Sequence, residues 1–263
     1  MKKAITIFVL LFSVHFLVAQ NESINQLDAN GQKDGVWEQN YPNDQLRYRG
    51  QFEHGQPVGT FFYYTEDGKK SSEVTHLDDK RAKAVFFHQN GTIMGKGNYL
   101  NKEKHGEWRF YDNHTILSSI DSFDQGKLVG TRKVYHLNGQ VASIVPYVMG
   151  LKNGSFKEFA PNGQVIIEGT YADNTFDGEY KQYYDDGTPY IEGFYKSAVK
   201  DSLWIYYHDD GRVKLQELYD TGELLKRKVE EGFKEKEIEM DIEESEIIDE
   251  EQLKEQFLSN PPR

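Results

Sequence analysis

The sequence predicts an all-β fold, an elongated single-layer antiparallel meander of about eight β-hairpins. Three observations carry that prediction: a 24-residue period, aromatic columns in phase with it, and an Asx-Gly pair at one fixed place in most units. Starting from Gly35, the opening position recurs at Gly59, Ala82, Gly106, Gly130, Gly154, Gly178 and Ser202, every 24 residues except for one step of 23. A fixed period of this size marks a repeat architecture, in which each unit buries its apolar surface against its neighbours.

Number the opening position zero. Plus five is aromatic in seven units (Tyr64, Phe87, Tyr111, Tyr135, Phe159, Tyr183, Tyr207), and plus seventeen in seven (Phe52, Tyr99, Phe123, Tyr147, Tyr171, Tyr195, Tyr219). Plus two is aromatic in six: Trp37, Phe61, Trp108, Phe156, Tyr180 and Trp204. Aromatic residues make up 14% of the chain, so about one per column is expected by chance. Six units place Asp-Gly or Asn-Gly at plus eight and plus nine, from Asp67-Gly68 to Asp210-Gly211. Such pairs between strand-forming runs signal a hairpin, here read as a two-residue type I′ turn.

With that turn, facing positions sum to seventeen. Gly35 then faces Phe52, Gly106 faces Phe123 and Gly154 faces Tyr171. Trp37 faces Gly50, Phe156 faces Gly169 and Tyr180 faces Gly193. A ring over a cross-strand glycine covers backbone and packs closely. Val141, Val145, Val165, Ile167, Val213 and Leu215 are expected on the same face. The other face reads as polar apart from the plus-five ring, and a bulge near plus five would shift the register.

The pattern resembles the MORN-repeat variant of YwqK-type antitoxin-like bacterial proteins. Two units carry it best. One runs from Gly154-Ser155-Phe156 through Asn162-Gly163 to Glu168-Gly169-Thr170-Tyr171. The other runs from Gly178-Glu179-Tyr180 through Asp186-Gly187 to Glu192-Gly193-Phe194-Tyr195. The resemblance covers about residues 30 to 225. It implies a MORN-like hairpin ladder that serves as a binding or scaffold module, with no catalytic residues to carry over. Ala84 and Arg132 at plus two depart from the pattern, as do the units at Gly35 and Gly106, which lack Asx-Gly.

The chain opens with Met1-Lys2-Lys3, an apolar run from Ala4 to Val18, and Ala19-Gln20. This reads as a signal peptide, because the run is shorter than the ~20 residues a membrane span needs. The expected division is 1–20 signal peptide, 21–33 lead-in, 34–225 repeats and 226–263 acidic tail. Residues 229–263 hold 13 acidic and 4 basic residues. Two readings of the tail stand side by side: a solvated, partly disordered extension, or an acidic helix that docks on a basic partner or caps the last hairpin. The chain has no cysteine, so neither a disulfide nor a lipid-modified thiol is available. Export to the periplasm or cell exterior is expected, with no integral membrane segment after signal cleavage.

His88, His136 and His208 share the plus-six column, but places in a ladder about 10 Å apart per hairpin cannot share one ion. Asp185-Asp186 and Asp209-Asp210 lie in the turn column, where Asp binds its own backbone. No metal, no cofactor and no catalytic activity are expected. A pI near 5.2 and the lack of a basic patch argue against nucleic acid. The leading expectation is an exported, non-catalytic scaffold that binds a protein partner. The alternative is a carbohydrate or cell-surface binding module using the aromatic ladder, and a third reading is a purely structural assembly surface. The candidate contact aromatics are Trp37, Trp108, Tyr135, Tyr183, Trp204 and Tyr207.

Overall fold

The computed structural model describes residues 23–229. The expected signal peptide and the part of the acidic tail beyond Val229, including its helical reading, lie outside the described residues. Within them, twenty strands form one open antiparallel sheet. Eight hairpins follow one another in chain order. Hairpin 1 joins Lys33–Asn40 to Leu46–Glu53, hairpin 2 Gln56–Tyr64 to Lys70–His76, and hairpin 3 Arg81–Phe87 to Ile93–Leu100. Hairpin 4 joins Glu103–Tyr111 to Leu117–Asp124, hairpin 5 Gly130–Tyr135 to Val141–Val148, and hairpin 6 Gly154–Phe159 to Val165–Ala172. Hairpin 7 joins Thr175–Tyr183 to Pro189–Lys196, and hairpin 8 Val199–Tyr207 to Val213–Asp220. A last strand, Glu223–Val229, carries the sheet past the expected end of the repeats at 225.

The facing pairs follow the predicted register. Gly35 pairs with Phe52 and Trp37 with Gly50. Gly154 pairs with Tyr171 and Phe156 with Gly169. Tyr180 pairs with Gly193. Between plus four and plus five, every hairpin then shifts by one residue, as at Gln182/Tyr183. This bulge sets plus five opposite plus eleven, so Val141, Val165 and Val213 lie beside Tyr135, Phe159 and Tyr207. Those three valines therefore belong to the outer face rather than to the aromatic face, because a bulge changes which side the following residues take.

The bulge also corrects the turn. Gly91 N–H donates to His88 O at 2.9 Å and His88 N–H to Thr92 O at 2.9 Å, which closes a three-residue loop. Only the glycine is left-handed (Gly91 φ 83°), so the tip is a type I turn followed by one αL residue. Asp44 and Thr115 take that αL place in hairpins 1 and 4, which lack Asx-Gly. True two-residue type I′ turns occur on the opposite edge, between hairpins. There His54-Gly55, Asn101-Lys102, Asp173-Asn174 and Ser197-Ala198 all have positive φ.

Position zero needs glycine for a different reason. Gln51 pairs with Val58 but Arg49 pairs with Phe62, which leaves residues 59–61 opposite Gly50 alone. Gly59 turns this wide bulge with φ 63°. The single 23-residue step falls where the bulge is missing. Val74–Ala84 and His76–Ala82 belong to one unbroken ladder.

Candidate functional site

The wide bulge decides which ring fills each glycine's space. A β-carbon at Gly97 would stand 2.3 Å from the Trp108 ring, and one at Gly193 would stand 2.3 Å from Trp204. At Gly50 the nearest ring is Phe61, at 2.2 Å. Trp37 and Tyr180 do pair with Gly50 and Gly193, but the ring lying on each of those glycines comes from the following hairpin. Only Gly169 is covered by the ring of its own hairpin, Phe156. The other three sockets thus pair plus fifteen of one hairpin with plus two of the next. The departures are complementary exchanges within that pair. Val74 meets Ala84. Asp121 meets Arg132, with Arg132 Nε 3.3 Å from Asp121 Oδ1. Glu217 meets Arg227, at 3.0 Å.

A second column closes the sockets from above. All three tryptophans have a lysine four residues earlier. Lys33 Nζ lies 4.5 Å from the Trp37 ring centre and 4.8 Å from Phe52. Lys104 Nζ lies 4.8, 5.1 and 5.0 Å from Trp108, Phe110 and Phe123. Lys200 Nζ lies 4.7, 5.4 and 5.2 Å from Trp204, Tyr206 and Tyr219. Such a cation over ring faces contributes about 0.5–2 kcal/mol. Burial lowers the Lys104 pKa, and the nearby Asp121 charge opposes that shift. Sequence reasoning missed this column because lysine was counted only as connection. The Lys-x-x-x-Trp spacing was the available signal.

The last socket is polar. Glu217 accepts from Tyr219 Oη at 2.9 Å, Tyr206 Oη at 3.1 Å and Arg227 Nε at 3.0 Å. Burial alone would raise its pKa. The bonds from Tyr219, Tyr206 and Arg227, with the Lys200 charge, outweigh that and hold it low.

These contacts sort the candidate aromatics. Trp108 is 0% exposed and Trp204 2% exposed, and their indole N–H groups donate to Asn98 O and Phe194 O. Neither ring is available to a partner, because the next strand and a lysine enclose it. Trp37 is half-buried and donates to Gln26 O at 2.9 Å. Tyr135, Tyr183 and Tyr207 are half-buried in the outer-face ladder. Tyr183 Oη donates to Glu168 at 2.7 Å, and Tyr207 Oη to Glu192 at 3.0 Å. Lys157 pairs with Glu168 at 2.7 Å, and Lys181 approaches Glu192 at 3.7 Å. The same Lys–Glu–Tyr motif thus repeats one hairpin on.

Beside it, the plus-one and plus-sixteen row changes character along the sheet. It is Thr60 with Thr75 in hairpin 2, joined by a 2.9 Å hydroxyl bond. In hairpins 7 and 8 it becomes Phe194 and the pair Leu203–Leu218, all three exposed. The structure thus groups Phe194, Leu203 and Leu218 as an outer-face apolar row that the sequence analysis did not single out. The period-two alternation was the signal for it.

The plus-six histidines have a structural partner. His88 Nε2 meets Tyr111 O at 3.0 Å and His136 Nε2 meets Phe159 O at 2.7 Å, so each ring carries its proton on Nε2. Tyr41 and Tyr184 make the equivalent bond through their hydroxyls, to Tyr64 O and Tyr207 O. Asn43, Asn90 and Asn138 at plus eight each donate from Nδ2 to the plus-seven carbonyl of the next hairpin. A 340 Å³ open cleft lies near one tip, lined by Lys69, Lys70, Phe87 and Asn90. Among the described residues, no group of three or more His, Cys, Asp or Glu could hold a metal ion.

Residues 33–54, 82–101, 128–149, 152–173 and 176–197 match the model of the MORN repeat variant, in phase with the hairpins. The five matched stretches fall in five of the eight hairpins. MORN repeats are commonly protein- or membrane-binding modules, and no helix among the described residues is long and apolar enough to cross a membrane. No curated protein matches the chain. A crystal structure of TarM is similar over 34% of this chain and 18% of its own, with 12% identity and a TM-score of 0.27. A crystal structure of TcdB2-TccC3-TEV is similar over 76% of this chain and 14% of its own, with 13% identity and a TM-score of 0.21. The chain spans less than a fifth of either, and likeness at that level says nothing about activity.

Proposed function

We propose that the chain is an exported, non-catalytic MORN-type scaffold that binds a protein partner through its outer face, resembling the antitoxin-like members of this repeat type. The observation that carries this reading is the division of labour between the two faces. Trp108 and Trp204 are enclosed by strand and lysine, so the ring ladder acts as core. The outer face instead carries the half-buried Tyr183 and Tyr207 in one row and the exposed Leu203 and Leu218 in another. Tyrosine with exposed aliphatic side chains suits a protein contact, and a flat apolar row suits it better than it suits a sugar ring. The histidine and Asx columns bond carbonyls and turn amides, which supports the non-catalytic part of the reading. The start of the sequence, a basic triplet before an apolar run, supports export.

The test is affinity capture with the mature chain from cell envelope and medium, run beside a glycan array. Recovery of a defined protein at stoichiometric level is expected. Glycan binding with no recovered protein would replace this reading with the carbohydrate one.

A further inference from the structure

The outer-face row at plus three and plus fourteen changes composition along the sheet. In hairpins 6 and 7 it alternates in charge, with Lys157 across from Glu168 and Lys181 across from Glu192. In hairpins 3 to 5 the acidic places are taken by Lys96, Ile120 and Ile144. Lys96 therefore stands across from Arg109, and Arg109 across from Ile120. Lys133 stands between Ile120 and Ile144, and Ile144 stands across from Lys157. All four cations in this file are exposed and both isoleucines are half-buried. Its five strand steps of about 4.8 Å make it about 24 Å long.

The positive charge of the file is poorly matched. Glu107 pairs with Arg109 and Glu168 with Lys157, each at 2.7 Å. Lys96 and Lys133 pair with no carboxylate among the described residues, and Lys96 Nζ lies 5.6 Å from the Tyr111 ring centre. Tyr183 and Tyr207 donate to the plus-fourteen glutamate of the hairpin before them. For Tyr135 that place holds Ile120, so its hydroxyl has no such acceptor. No run of basic residues marks the file in a chain of net charge −12, because its cations lie 13 or 24 residues apart.

We propose that the file of Lys96, Arg109, Lys133 and Lys157, with Ile120 and Ile144 between them, docks an acidic amphipathic helix of a partner protein. This rests on the reading of the outer face as the protein-binding face and adds the partner's chemistry. Arg109, Lys133 and Lys157 follow one another two strands apart, about 10 Å. On a helix, residues seven apart share a face and lie about 10.5 Å apart. Glutamates at that spacing meet successive cations. An aliphatic residue three or four positions after each falls midway, over an isoleucine. A phosphate backbone offers the isoleucines nothing comparable.

Fluorescence anisotropy of the full chain with a labelled helical peptide of about 22 residues, Glu at every seventh position and Leu midway between, tests this. Binding is expected, falling with added salt and weakening at least about tenfold in Arg109→Glu/Lys133→Glu. That variant binds the matching peptide with Lys in place of Glu, which guards against a chain that merely fails to fold. Leu203→Lys/Leu218→Lys, in another row, leaves the peptide bound. No peptide binding, or binding indifferent to the reversal, overturns the proposal. The outer-face reading falls only if partner capture also survives Leu203→Lys/Leu218→Lys. Phosphatidylserine vesicles or oligothymidylate held through Arg109 and Lys133, with no peptide bound, overturn the proposal in favour of a phosphate-bearing ligand.

Discussion

Arg132 stands on Asp121 where other hairpins stand a ring on a glycine, with the guanidinium Nε 3.3 Å from the carboxylate. Both side chains are nearly enclosed, at 14% and 8% exposure. Removing one partner of such a pair strands the other charge. Asp121→Ala is therefore expected to cost about 3–5 kcal/mol in denaturant unfolding. The double change Asp121→Gly with Arg132→Trp rebuilds the Gly97–Trp108 socket and is expected to recover most of that loss, because well-packed apolar replacements of buried pairs are often neutral or better.

The ring sockets predict a reciprocal result. Gly97→Val drives a β-carbon to within 2.3 Å of Trp108, and Trp108→Ala opens a cavity at about 3–5 kcal/mol. Val74 and Ala84 already show the opposite allocation of volume. Gly97→Val combined with Trp108→Ala is expected to be more stable than the sum of the single changes. A double-mutant cycle on unfolding midpoints reads the coupling directly.

Much of this was legible in the sequence. The hairpin count, the loop edge and the pairs Gly35–Phe52 and Phe156–Gly169 follow from column spacing alone. Three features were not, each for a physical reason. Asn90-Gly91 serves either a type I′ turn or a type I turn with one αL residue, and composition does not separate them. The ring over Gly50 comes from Phe61 because of two extra residues at Gly59, and a bulge leaves no mark beyond the glycine itself. The lysines over Trp108 and Trp204 were hidden because a surface charge and a ring cap are the same letter. The residues proposed for contact divided accordingly: Trp108 and Trp204 became core, while Tyr183 and Tyr207 stayed near the surface.

Alkaline pH should weaken the last hairpins. Burial raises the phenols of Tyr180, Tyr183 and Tyr219 to about 12, and Tyr206 further still. In the unfolded chain these groups ionise near 10. An acid whose folded pKa is raised adds stability that is complete below the unfolded value and lost as pH climbs toward the folded one. Unfolding midpoints should hold up to about pH 10 and fall between about 10 and 12. Absorbance titration of tyrosinate should show those phenols ionising late.

At the acid end, Glu217 behaves in the opposite sense. Its folded pKa is lowered, so its contribution is present above the ordinary glutamate range and lost as pH falls through the folded value. Glu217→Gln should flatten that acid limb and loosen Glu223–Val229 locally, as read by amide exchange across the strand.

The loop edge offers a paired control. Asn138 Nδ2 donates to Pro161 O at 2.7 Å, whereas Asn162 Nδ2 turns to Gln164 within its own loop. Asn138→Asp places a carboxylate against a carbonyl and is expected to cost about 0.5–1.5 kcal/mol. Asn162→Asp should cost less, since Asn162 Oδ1 accepts from Gln164 N–H, a turn bond that Asp186 and Asp210 make at the same position with Thr188 N–H and Arg212 N–H. Thermal melts of the two variants make the comparison.

The division between a structural ring face and a binding outer face is tested most directly by partner capture with two full-chain variants. One carries Leu203→Lys and Leu218→Lys on the outer face, and the other carries Lys104→Met over the Trp108 ring. The account predicts that the outer-face variant loses the captured protein while keeping its melting behaviour, and that Lys104→Met keeps it. Capture that survives the outer-face charges but fails with Lys104→Met, in chains that remain folded, would contradict it.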